Sequence, residues 1–283
     1  MKLLISLTAI FIFCGSLLAQ SLLPAPSPFS KTTQIVGVTE VSVEYSRPGI
    51  KGREIFGGLV PFGEVWRTGA NSVTKLTFGT DVTLEGKKIP AGSYSLYTLP
   101  NKNEWKIMIN KVAEGSPNYI PKEDVASFTV KPHLSPEVVE RFTIEIADMT
   151  DSSAVILLKW ARTRIPVAMQ IDTKTNVANN VEAFEDAGND DNAGGWYQVA
   201  NYYFGKKEYG DALDAVDKSL EIDATPYWVL RLKSQILAAR GEYDEAIVFA
   251  KKSLVSAQKA GNQNNVKLNE EAIKEWEAKK AEQ

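Results

Sequence analysis

The chain is almost without the side chains that most often carry covalent or metal chemistry. Of its 283 residues one is cysteine, Cys14, and one is histidine, His133. Cys14 lies inside an N-terminal apolar run, so the chain that follows has no thiol. That excludes disulfides, a cysteine nucleophile and cysteine-based metal sites together. With one imidazole left, a zinc site is not expected. A Ser-His-Asp triad would have to use His133, within Lys131-Pro132-His133-Leu134, yet no Gly-x-Ser-x-Gly elbow exists to supply its nucleophile. His133 therefore reads as a turn or surface residue. A basic excess is also lacking. The formal net charge is −3, which sets aside a nucleic-acid footprint.

The N-terminus carries the firmest functional signal. A short basic start, Met1-Lys2, precedes an apolar run from Leu3 to Leu18 broken only by Ser6, Thr8, Gly15 and Ser16, and Ala19 is a small residue suited to cleavage. The run is short for a membrane span. Residues 1–20 read as a signal peptide, so the protein is expected to be exported, to the periplasm or beyond, with no transmembrane segment in its mature form. A lipoprotein signal needs a small residue before the cysteine, and Phe13 stands there. Ser21 to Ser30 is a proline-spaced lead expected to run extended.

Charge divides the remainder. Residues 21–170 hold 17 Lys/Arg and 15 Asp/Glu, whereas residues 171–283 hold 14 and 20. A change of sign near 171 marks a boundary. Before it the signals are those of strands: Thr39–Tyr45, Ser72–Phe78, Asp81–Leu84, Ser93–Leu99, Trp105–Asn110, Ala126–Val130, Arg141–Ala147, Ala154–Trp160 and Ile165–Ile171. A turn is expected at Glu85–Lys88 and a short helix is allowed within Pro117–Val125. Short strands separated by turn chemistry predict an antiparallel β-sandwich or barrel-like domain over 31–171.

One stretch interrupts that rhythm. Tyr45 to Asn71 is too rich in glycine and proline for a helix, and Arg47, Lys51, Arg53 and Arg67 alternate there with Tyr45, Phe56, Phe62 and Trp66. Guanidinium forks beside aromatic rings suit recognition of carboxylate, phosphate or sugar groups. Arg47, Lys51, Arg53, Trp66, Arg67 and Asn71 are therefore the candidate ligand-binding residues, for an anionic or carbohydrate ligand. Glu54 and Glu64 flank the stretch and form the alternative, catalytic reading, as an acid and base of a hydrolase acting on envelope polysaccharide or peptide. The opposing structural reading has Arg53, Arg67, Glu54 and Glu64 pair as ions that pin the loop. No cofactor is expected. Asp190-Asp191-Asn192 and the run Asp211, Asp214, Asp217 lack the spacing of a calcium loop and read as solvated surface.

After 171 the period becomes helical. Asn176–Ala187 reads as a helix, and from Trp196 an internal repeat appears: Glu208-Tyr209, Asp211-Ala212 and Lys218-Ser219-Leu220 recur 34 residues later as Glu242-Tyr243, Glu245-Ala246 and Lys252-Ser253-Leu254. This resembles the tetratricopeptide repeat. Trp196, Val199, Ala200, Tyr203, Ala212 and Ser219 occupy the large and small packing positions of one copy, and Leu230, Ser234, Leu237, Gly241, Ala246 and Ser253 those of the next. Ala224 replaces the usual closing proline, and Asn264–Lys280 is expected to cap the array. Residues 172–283 thus form a short helical repeat domain, able to serve as a protein-binding surface or as a brace.

Ser46-Arg47-Pro48, Lys51-Gly52-Arg53, Ile55-Phe56-Gly57, Leu59-Val60-Pro61, Glu64-Val65-Trp66-Arg67-Thr68-Gly69-Ala70-Asn71 and Pro90-Ala91-Gly92-Ser93-Tyr94-Ser95-Leu96 together resemble domain-of-unknown-function family 2911, found in exported bacterial proteins. The likeness spans roughly residues 30 to 170. It implies the β domain and the helical continuation but assigns no catalytic residue. The expectation is an exported, non-enzymatic binding or scaffolding protein of the cell envelope.

Overall fold

Alternation with a period of two places one side of each strand against a core. The computed structural model describes residues 23–111, 118–189 and 191–282, so the leader expected at 1–20 lies outside them. Ten strands follow one another: β1 (Phe29–Val36), β2 (Thr39–Ser46), β3 (Ala70–Phe78), β4 (Val82–Leu84), β5 (Lys87–Ile89), β6 (Gly92–Pro100), β7 (Trp105–Asn110), β8 (Asp124–Val130), β9 (His133–Ala147) and β10 (Ser153–Ile171). They form a six-stranded sheet, β1-β2-β3-β6-β7-β8, and a four-stranded sheet, β5-β4-β10-β9, with antiparallel pairing throughout. Val43, Leu76 and Ile107 from the first join Ile144, Ile156 and Val167 from the second in one buried cluster. The void left among the aliphatic side chains is only about 10 Å3. That void is too small for a ligand.

Several strand limits differ from the sequence expectation. β1 begins at Phe29, inside the expected extended lead, because Phe29 pairs with Ser46. The two strands expected at 154–160 and 165–171 are one strand of 19 residues. Ala-Arg-Thr-Arg at 161–164 is a bulge rather than a break: the register shifts on both sides of Ala161, whose φ is 49°. Beyond it, Thr163 pairs with Leu134 and Arg164 with His133, so β9 starts eight residues before the expected Arg141. The turn expected at Glu85–Lys88 is tighter, and Lys87–Ile89 pairs back on β4. In the 117–125 connection the described part holds only a 3-10 turn, Pro121–Glu123. His133 is exposed, as its sequence setting predicts.

Among the described residues six α-helices follow: α1 (Thr173–Asp186), α2 (Ala193–Gly205), α3 (Tyr209–Ile222), α4 (Tyr227–Ala239), α5 (Tyr243–Lys259) and α6 (Gln263–Ala281). The chain divides after Asn176 into two compact units. No helix among the described residues is long and apolar enough to cross a membrane. The 34-residue recurrence is physical. Ala212 and Ala246 are both fully buried, which lets each helix pair approach closely. Ser219 Oγ donates to the Ala193 carbonyl at 2.8 Å, and Ser253 Oγ donates to that of Tyr227 at 2.7 Å. α6 covers the last pair with Trp276, Ala272 and Ile273 against Leu237 and Ala250.

The β1–β2 turn depends on a residue without a side chain. Gly37 has φ +59°, and a Cβ there would lie 2.3 Å from the Asp151 carbonyl oxygen. Gly37→Ala is expected to destabilise the β unit by more than the ~1–2 kcal/mol that left-handed backbone alone costs an L-residue. Thermal unfolding followed by circular dichroism measures this.

Candidate functional site

An edge strand exposes a row of unpaired N–H and C=O groups. β9 is the last strand of its sheet, and the Tyr45–Asn71 stretch crosses from the other sheet to cover it. The Tyr45 hydroxyl accepts from Ile144 N at 2.8 Å and donates to Ile144 O at 3.2 Å. Arg47 Nε donates to Phe142 O at 3.0 Å, and its Nη2 donates to Thr143 Oγ1 at 2.7 Å. The backbone then takes over: Phe142 N donates to Pro48 O, and Ile50 N donates to Glu140 O. Lys51 N donates to Glu140 Oε1 at 3.0 Å. Residues 45 to 51 thus satisfy the β9 edge in place of a further strand.

The remaining candidate groups fall into three settings. Arg53 is exposed, and its Nε and Nη2 donate to the Ile50 and Gly49 carbonyls at 3.0 and 2.7 Å, closing its own turn. Trp66 points into the sandwich. It stacks on Trp160 with ring centroids 5.8 Å apart, meets Phe142 edge-on at 5.0 Å and also contacts Phe56 and Trp105. Its indole N–H donates to the Gly69 carbonyl at 3.0 Å, and its backbone pairs with Thr98 of β6. Arg67 is half-buried, and its Nε is sealed from solvent without a hydrogen-bond partner. Asn71 is exposed, and its Nδ2 donates to Ser46 Oγ at 3.1 Å.

Three non-glycine residues here adopt left-handed backbone: Lys51 at φ 49°, Thr68 at 55° and Asn71 at 58°. For a β-branched residue this is strain, and the surroundings must hold it. Thr68 is fully buried. Its hydroxyl donates to Thr98 Oγ1 at 3.1 Å, and its carbonyl accepts from Thr74 Oγ1 at 2.6 Å. The strained turn thereby drives the Trp66 ring inward while its backbone stays paired to β6.

The structure does not bring the six expected ligand residues onto one rim. Arg47 and Arg53 bind the protein's own carbonyl groups, Trp66 is a core ring, and solvent meets mainly Lys51, Arg53 and Asn71. Glu54 and Glu64 are both exposed. Among the described residues no ion pair joins Glu54 or Glu64 to Arg53 or Arg67, so carbonyl contacts rather than ion pairs pin the loop. Among the described residues no group of three or more His, Cys, Asp and Glu is placed to hold a metal ion.

A further polar group lies at the β7–β8 end. Tyr119 Oη donates to Asp124 Oδ2 at 2.5 Å, and Asn110 Nδ2 donates to Asp124 Oδ1 at 3.0 Å. Burial first, and then the Asp124 bond, push the Tyr119 phenol well above its ordinary value, so it remains a donor at neutral pH.

The helical unit holds concave space. A groove of about 250 Å3 runs between α4 and α6, lined by Arg231, Gln235, Asn269, Glu271, Glu275 and Trp276 among others. Asn269 is 1% exposed. Its Nδ2 donates to Ser253 Oγ at 2.9 Å and to the Asn265 carbonyl at 2.8 Å, while its Oδ1 has no partner. Sequence reasoning passed over Asn269. The available signal was an asparagine at a core-facing position of a capping helix whose other inward residues, such as Trp276, are apolar.

Two arginines separate bracing from recognition. Arg47→Ala leaves the Phe142 carbonyl without its donor and is expected to cost about 1.5–3 kcal/mol, the range for hydrogen bonds from charged groups. Arg53→Ala, on an exposed turn, is expected to cost about 0.5 kcal/mol or less. Urea unfolding of both variants checks the order.

No curated protein matches this sequence. A family profile does match, over residues 27–169, just over half of the chain. The matched region holds all ten strands but the last two residues of β10, together with the whole brace across β9. The chain belongs to DUF2911, a family of proteins of unknown function.

Proposed function

We propose that this is an exported, non-enzymatic binding or scaffolding protein of the cell envelope, whose tetratricopeptide-like helices hold a protein segment in the groove between α4 and α6. The observation that carries the reading is Asn269. A buried carbonyl oxygen left without a donor costs about 1–3 kcal/mol, and a protein tolerates that where a partner supplies the missing hydrogen bond. Asn269 Oδ1 is such an acceptor, on a residue lining a groove of about 250 Å3. Arg231 and Gln235 on one wall and Glu271 and Glu275 on the other add polar groups that suit a peptide backbone and its side chains. On the β unit, an anionic or carbohydrate ligand would meet Lys51, Arg53 and Asn71, the brace residues that face solvent.

The hydrolase alternative through Glu54 and Glu64 gains no support from the geometry, because both residues are exposed and neither is in the buried setting that raises a catalytic acid. Export follows from the Leu3–Leu18 run.

Two measurements test this. Mass spectrometry of protein recovered from the envelope or the medium is expected to find a mature N-terminus within a residue or two of Gln20. Retention of the leader in a cytosolic pool overturns export. A photo-crosslinking residue at Gln235 or Glu271 of the intact protein is expected to capture one discrete protein in cells, and the same probe at Glu221 is not. Equal capture from all three positions overturns the groove.

A further inference from the structure

The two helical repeats keep their packing residues and differ in charge on one face. On α3 that face carries Asp217, Lys218 and Glu221, and 34 residues later the same positions of α5 are Lys251, Lys252 and Val255. In the first copy the charges are paired internally: Lys233 meets Asp217, and Lys218 meets Glu185. In the second, Lys251 meets Glu277 at 3.3 Å. Lys252 lies over the Phe249 ring at 4.6 Å, and neither it nor Lys259 takes part in an ion pair among the described residues. Packing demands neither set, since Ala212 and Ala246, like Ser219 and Ser253, are equally buried in both.

The lysine face borders a pocket. Lys251, Lys252, Val255, Ser256 and Lys259 of α5 line an open groove of about 520 Å3 together with Leu230 of α4 and the Ala224-Thr225 turn. Leu230 and Val255 give it an apolar floor, and Val255 is half exposed. Ser256 Oγ donates to the Thr225 carbonyl at 2.5 Å and fixes the turn against the helix. Ligand pockets fall between roughly 300 and 1,000 Å3 and combine an apolar lining with a few polar groups. Three lysines line the groove beside its aliphatic floor, in a half-chain with 20 acidic and 14 basic residues, and form a local reversal of charge.

We propose that this pocket binds a small anionic amphiphile, its carboxylate among Lys251, Lys252 and Lys259 and its aliphatic chain along Leu230 and Val255. The lysines supply charge-assisted hydrogen bonds, and the floor removes methylene groups from water. This site is separate from the α4–α6 groove, so either stands without the other.

Calorimetric titration of the full chain with decanoate, below its micellar concentration, tests the assignment against two partial ligands, acetate and decanol. Saturable one-to-one binding of decanoate, at least about tenfold tighter than either partial ligand, is the expected result. Lys252→Glu and Lys259→Glu are each expected to weaken it by about tenfold, and Val255→Asp to abolish it. All three residues are exposed, so the melting temperatures should stay close to that of the unaltered protein. Equal binding of decanoate and decanol overturns the role of the lysines. Equal binding by the lysine variants and the unaltered protein, or no saturable decanoate binding at all, overturns the site.

Discussion

The β domain depends on how the free edge of β9 is satisfied. β9 has β10 on one side only, and its 140–144 backbone would otherwise present donors and acceptors beside a buried aromatic cluster. Pairing a short extra strand there would solve the hydrogen-bond problem and leave no link between the sheets. Tyr45, Arg47, Pro48 and Ile50 solve both at once, because they follow directly from β2 of the opposite sheet. The brace fixes the distance between the layers at the point where Trp66, Phe142 and Trp160 need it fixed. Aromatic pairs at such separations contribute about 0.5–1.5 kcal/mol each beyond their burial, provided their geometry is held.

That dependence explains why the densest motif in the sequence acts as a brace. Glycine and proline let the chain reverse between sheets, arginine supplies several donors from one residue, and the aromatics anchor what lies between. A guanidinium fork suits two carbonyl oxygens of a strand edge as well as it suits the oxygens of a bound carboxylate. The composition therefore carries the same signature for a brace and for a binding loop. Only the partner of each N–H distinguishes them, and for Arg47 and Arg53 the partners are Phe142, Thr143, Gly49 and Ile50.

Architecture was legible where periodicity is local. The strands from Thr39 to Val130 stand near their expected limits, and the helical half is in register with its 34-residue recurrence down to the repeated serine bonds at Ser219 and Ser253. Where a long-range partner decides, the sequence is silent. Ala161 reads as the end of a strand because a bulge breaks alternation, and His133–Glu140 reads as a loop because most of it faces solvent. Both become strand only through each other. The setting of Arg47 is hidden for the same reason, since the groups that engage it lie about 95 residues away along the chain.

In the helical unit the same accounting points outward. Where the β unit brings side chains from distant segments to satisfy its exposed backbone, the array leaves a buried oxygen on Asn269 without a partner, and among the described residues Lys252 and Lys259 beside Val255 take part in no ion pair. Repeats make such departures visible, because the neighbouring copy records what packing alone requires. At Ala212/Ala246 and Ser219/Ser253 the copies agree, and the residues explain the fold. At Asp217/Lys251 and Glu221/Val255 they do not, although the helices have the same register and depth. A difference that the fold does not need is the ground on which the proposed lysine site rests, and it lies on the helices.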